Sequence, residues 1–134
     1  MMFPLPHHVI PRSTLVVGRD ATSFRVSGAS NVDLRALGPL RRVFQRLVEL
    51  HLTTPGRALS VDAIFEAGWP GEGRRETTLE ARRGRAYTAI SKLRRRGLGA
   101  VLVRVGTGYR IDPRTCVIAE APPANETGAV RRAS

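Results

Sequence analysis

Apolar and polar positions alternate in short runs at both ends of the chain and repeat with helical spacing between them. Thr14 to Gly18 and Ser23 to Ser27 are β-branched and aromatic runs separated by the turn-forming tetrad Arg19-Asp20-Ala21-Thr22, which predicts a hairpin. Gly28-Ala29-Ser30-Asn31 makes a second turn, and Val32-Asp33-Leu34 is long enough for a short third strand. A first helix is predicted from near Pro39, well tolerated in a first turn, to about Leu52, with Leu40, Val43, Phe44, Leu47 and His51 on one stripe. His51 reads as a helix-end residue rather than a ligand. Thr53-Thr54-Pro55-Gly56 closes this helix. Ser60 then caps a short second one, with Asp62 at its positive end, Ile64 and Phe65 as core contacts and Gly68 as terminator. Trp69 to Glu76 is rich in Gly, Pro and charge and reads as an exposed loop anchored by Trp69.

The third helix is predicted to start at Thr77, whose hydroxyl caps while Glu80 reaches back in a capping box. Ala86, Ile90 and Leu93, spaced i, i+4, i+7, mark the face turned to a core. At about 100° per residue, Arg85, Thr88, Lys92 and Arg95 fall on the far side, with Ser91 on one flank and Ala89 and Arg96 on the other. Gly97-Leu98-Gly99 breaks the pattern, Val101 to Val105 forms a strand, and Gly106-Thr107-Gly108 turns it into Tyr109-Arg110-Ile111. Two glycines within three residues permit positive φ in such a turn. Thr115 to Ala119 reads as a further, edge strand.

This order predicts an α+β fold in which a helix-turn-helix is followed by a two-stranded wing, each amphipathic helix covering the others' apolar stripes. The expected organisation is a flexible arm over residues 1–13, a winged-helix domain over 14–119 and a disordered tail over 120–134. Within the domain, 14–34 form a small antiparallel sheet, 39–98 the helical part and 101–113 the wing. A chain of 134 residues fits one such domain with a modest core.

Charge adds a direction to this outline. The chain carries 22 Lys+Arg against 11 Asp+Glu, a net charge of +11 and a pI near 11.6, which draws it to polyanions. From Arg82 to Arg110 the basic residues are Arg82, Arg83, Arg85, Lys92, Arg94, Arg95, Arg96, Arg104 and Arg110, with no acid among them. An ordinary solvated helix mixes both signs, so this segment points to nucleic acid. No apolar run approaches the roughly 20 residues of a membrane span, and no signal-peptide pattern opens the chain, so a cytoplasmic protein without a membrane partner is expected. The single Cys116 excludes an intrachain disulfide. His7-His8 has no Cys or carboxylate neighbour with which to hold a metal. Neither a nucleophile with its base nor a carboxylate pair is evident, so no catalysis and no cofactor are expected.

The residues also resemble a family, the winged-helix effector domains of the response-regulator type with an N-terminal β-platform. The resemblance covers about residues 14 to 113. It rests on Val32-Asp33-Leu34, on Thr54-Pro55-Gly56-Arg57-Ala58-Leu59-Ser60, on Trp69, on Ile90-Ser91-Lys92-Leu93-Arg94-Arg95-Arg96 and on Gly106-Thr107-Gly108-Tyr109-Arg110. Gly68-Trp69-Pro70-Gly71-Glu72 and Arg85-Ala86-Tyr87-Thr88-Ala89-Ile90 are similar to a branch seen in GC-rich bacteria. The resemblance implies a third helix in the major groove, a wing on the backbone or minor groove, and a 69–76 loop that meets RNA polymerase. It places Thr88, Ala89, Ser91 and Lys92 near bases or phosphates. Val105 departs from it, standing where a wing arginine is usual with Arg104 one place earlier, and no receiver domain precedes the module in this sequence.

The expected function is therefore sequence-specific double-stranded DNA binding in transcription regulation, with a homodimer on DNA among the expected partners. The expected contacts are Arg82, Arg83, Arg85, Thr88, Ala89, Ser91, Lys92, Arg95, Arg96, Arg104, Thr107 and Arg110. The alternative is an adaptor that uses the same fold to contact RNA polymerase or a regulatory partner.

Overall fold

Strands β1 (Ser13–Val17) and β2 (Ser23–Val26) pair antiparallel, with Leu15 opposite Val26 and Val17 opposite Phe24. Side chains alternate across a strand, so these four share one buried face. These coordinates come from a computed structural model, which describes residues 13–72 and 77–120. The expected arm apart from Ser13, the tail beyond Glu120 and residues 73–76 of the loop lie outside the described residues. Strand β3 (Val32–Asp33) pairs with β2.

Helix α1 (Gly38–Thr53) carries Pro39 in its first turn and buries Leu40, Val43, Phe44, Leu47, Val48 and His51. Phe44 meets Phe24 with ring centroids 5.0 Å apart and planes tilted by 42°, which fastens α1 to the sheet. Helix α2 (Val61–Gly68) is capped by Ser60, whose Oγ accepts the Ala63 N–H at 3.1 Å. At its other end Arg42 of α1 donates from Nε and Nη2 to the Gly68 carbonyl at 3.0 and 2.7 Å, placing a cation on the negative pole of α2. A Cβ at Gly68 would lie 3.0 Å from Val43 Cγ2, so glycine lets the two helices close up here.

Helix α3 (Leu79–Arg95) packs on both α1 and α2. A 3₁₀ turn at Leu98–Ala100 buries Leu98 and leads to strands β4 (Leu102–Val105) and β5 (Gly108–Ile111). Strand β6 (Thr115–Ala119) then returns to the first sheet, where the order is β3-β2-β1-β6. The expected edge strand is at the edge, but it pairs parallel to β1, with Leu15 opposite Val117. A parallel partner needs a long crossover, and here all three helices and the β4–β5 hairpin supply it. One buried apolar cluster runs from Leu15 to Val117. The described residues thus form an α+β fold with three α-helices and two small sheets, a layout compatible with a winged helix. No helix among the described residues is long and apolar enough to cross a membrane.

The Gly106-Thr107-Gly108 turn uses its glycines differently from the expectation. Gly106 has φ 60, but Gly108 does not adopt a positive φ. A Cβ on Gly108 would meet the Leu59 carbonyl oxygen at 2.7 Å. The reason is an isolated backbone bridge that sets Leu59 beside the hairpin: its N–H donates to Tyr109 O at 2.7 Å, and the Tyr109 N–H donates back at 3.0 Å. We expect Gly108→Ala to lower the unfolding free energy by about 1–3 kcal/mol, because the bridge must open. Gly106→Ala should cost roughly 1–2 kcal/mol from the left-handed conformation alone. Urea denaturation of the two variants, with the fluorescence of Trp69 as probe, checks this; the bridge is dispensable if Gly108→Ala matches wild type.

His51 joins the end of α1 to the start of β6. Its Nε2 donates to the Thr115 carbonyl at 3.0 Å, which sets the protonated nitrogen. Burial pushes the imidazole pKa below its usual value, opposed by the Thr115 and Ile111 carbonyls and the nearby Asp112 carboxylate. The folded state therefore favours neutral His51. Its contribution is fully present above the unfolded value of about 6.5 and is lost as pH falls through the lower folded value. Stability measured by urea between about pH 7 and pH 5 should fall, and His51→Gln should flatten that dependence. An unchanged slope in the variant would assign the pH dependence to other groups.

Candidate nucleic-acid interface

The outward face of α3 is set by how the helix begins and what it buries. Thr78, not Thr77, is the cap: its Oγ1 accepts the Ala81 N–H at 3.0 Å. Glu80 is then the second helical residue rather than the third, and the expected capping box is replaced by an acid in the positive first turn. Two adjacent threonines offered the same cap chemistry one residue apart.

Ala86, Ile90 and Leu93 are buried as the spacing predicts. Ala89 is buried too, at 1% exposure, and is therefore not on the outward face where it was expected. It lies three residues beyond Ala86 and four before Leu93, so it belongs to the same stripe. Arg85, Thr88, Ser91, Lys92, Arg94, Arg95 and Arg96 are exposed, as is Tyr87.

Acids from other elements answer part of the positive charge. Arg83 faces Asp62 of α2 at 3.7 Å, and Arg85 faces Glu72 of the following loop at 3.2 Å. All four side chains are between about one third and two thirds exposed, so each pair contributes in the range of about 0–1 kcal/mol and opens readily. Arg82 is half-buried. The side chains of Lys92, Arg94, Arg95 and Arg96 make no ion pair or hydrogen bond with a described residue. Their position at the negative end of the helix is favourable, while their mutual repulsion is relieved by any anion placed across them.

On the hairpin, Arg104 is exposed and its Nε donates to the Gly106 carbonyl at 3.1 Å, leaving the outer guanidinium nitrogens to solvent. Thr107 stands exposed at the tip. Arg110 is different: Nη1 donates to the Gly56 carbonyl at 2.6 Å, clamping the hairpin to the segment before α2. It is half-buried and serves as a fastening of the fold.

Two features lay outside the sequence expectations. A groove of about 550 Å³ runs between the outward side of α3 and the segment leading into α1. Its floor includes Leu37, Pro39, Trp69 and Ala89, and Arg85, Thr88 and Lys92 stand along its wall. The pairing of Arg83 and Arg85 with distant acids was likewise invisible in a stretch without acids of its own. Among the described residues, no three His, Cys, Asp or Glu side chains gather as metal ligands. Set against family models, curated proteins and solved structures, the chain gives no match.

Proposed function

We propose that the chain is a winged helix-turn-helix regulator of transcription that binds double-stranded DNA, with α3 in the major groove and the β4–β5 hairpin as a wing on the backbone or minor groove. The observation that carries this is the cationic end of α3: Lys92, Arg94, Arg95 and the capping Arg96 are exposed, and their side chains meet no acid among the described residues, beside the short side chains of Thr88 and Ser91. Short side chains admit a close surface, and long cationic ones reach phosphates or the acceptor edge of guanine. Arg104 and Thr107 extend the surface on the wing, and Arg83 and Arg85 join it by exchanging weak carboxylate pairs for phosphate. Lys92, flanked by Thr88 and Ser91, reads bases; Arg104 positions the backbone.

Homodimerisation on DNA and a polymerase contact through the 69–76 loop belong to the same proposal. In that loop Trp69 stacks on Phe65, with centroids 5.5 Å apart and planes within 18°, so it serves the fold, while Pro70 and Gly71 are exposed for a partner. We assign no reaction and no cofactor to the chain, and place it in the cytoplasm. The groove beside α3 favours a second reading, an adaptor that contacts a protein.

Selection of genomic fragments on the protein, followed by sequencing, should return one enriched motif. On that site, about five phosphate contacts should give a slope of log K against log salt of roughly −4 to −5. Arg104→Ala should make the slope shallower by about one unit while keeping site preference. Lys92→Ala should cost about 1–3 kcal/mol chiefly on the preferred site. Duplex binding without salt dependence, or unchanged binding after charge reversal at Arg85, Lys92 and Arg95 in a folded protein, would sink the proposal in favour of the adaptor.

A further inference from the structure

We propose that the groove along α3 is a docking site for an acidic amphipathic helix of a partner protein. The groove of about 550 Å³ continues into a second concavity of about 340 Å³, and the two share Leu37, Leu40 and Lys92. Together they follow α3 from Ala81 to Arg96, roughly 22 Å at 1.5 Å per residue, the length of about four turns of a docked helix. Among the described residues every charged side chain lining the two is basic: Arg85, whose pair with Glu72 is an exposed surface one, Lys92, Arg95 and Arg96. Between them lies an apolar floor that a phosphate backbone does not need but a leucine stripe would fill.

Gly84 supplies an independent observation. It sits inside α3, where glycine is about 1 kcal/mol less favourable than alanine. No described residue within 4 Å would obstruct a Cβ there, and φ is not positive, so neither backbone conformation nor packing against the described residues calls for glycine. Gly84 lines the groove, and its missing side chain keeps that wall open to a close neighbour. A helix seated there covers Thr88 and Lys92, so docking and the proposed DNA contact exclude one another. An acidic partner would thereby act as an inhibitor that competes for α3.

The test uses the full chain and a fluorescein-labelled synthetic helix of about fifteen residues, with leucine at i, i+3, i+4 and i+7 and glutamate elsewhere. A peptide of identical composition with the leucines scrambled is the control. At about 0.15 M salt the striped peptide should bind at least about tenfold tighter than the control, by fluorescence anisotropy. Gly84→Leu, a helix-favouring change that fills the groove, should weaken binding at least about tenfold while melting no lower than wild type. Ala36→Asp, at an exposed position on the opposite wall, should weaken it as well. Equal binding of both peptides would reduce the effect to net charge and overturn the proposal; so would wild-type binding by Gly84→Leu and Ala36→Asp. No DNA is present in this assay, so its outcome and that of the DNA experiment are read separately.

Discussion

The orientation of α3 depends on the burial of Ala86, Ala89, Ile90 and Leu93. Removing a large aliphatic side chain from water contributes about 1.5–3 kcal/mol, so Ile90 and Leu93 alone outweigh the surface pairs on the opposite side, each in the range of about 0–1 kcal/mol. Packing therefore decides which way the helix faces, and the charges follow. The two alanines let the α3 backbone approach its neighbours, and Ala89 contributes apolar lining to the groove. A helix that buries only short residues at this point leaves a channel beside it.

The hairpin inherits its place from similarly few contacts. The Leu59–Tyr109 bridge, the absent Cβ of Gly108 and the Arg110–Gly56 clamp tie β5 to the segment before α2. Arg104 and Thr107 are consequently presented by a hairpin fastened to the helices. The parallel pairing of β6 with β1, and the bond from His51 to Thr115, close the other side of the domain so that the first and last described strands share one sheet.

Much of this was legible in the chain. Local chemistry with a single solution read correctly: the α1 stripe, the Ser60 cap, the β1–β2 hairpin and the two strands around Gly106-Thr107-Gly108. What escaped was set by partners distant in sequence. Thr77 and Thr78 differ too little for pattern to choose between them. Alanine is compatible with either face of a helix, so the burial of Ala89 follows from its neighbours in space. Asp62 and Glu72 meet Arg83 and Arg85 across loops, Gly108 answers to Leu59 almost fifty residues earlier, and a parallel strand such as β6 has no turn to announce its partner. Of the candidate contacts, Thr88, Ser91, Lys92 and Arg95 stand together on the exposed side of α3 with Arg96 just beyond its end, while Ala89 is buried and Arg110 is clamped to Gly56.

The central claim is that the outward face of α3 and the tip of the β4–β5 hairpin form one DNA surface. Titrating uniformly ¹⁵N-labelled protein with the selected duplex and following backbone amide shifts by NMR tests it directly. The predicted result is the largest shifts at Thr88, Ser91, Lys92 and Arg95 and at Gly106 to Gly108, with β1, β2 and β6 unmoved. Shifts centred on the β3-β2-β1-β6 sheet, or a spectrum that does not change when duplex is added, would contradict it.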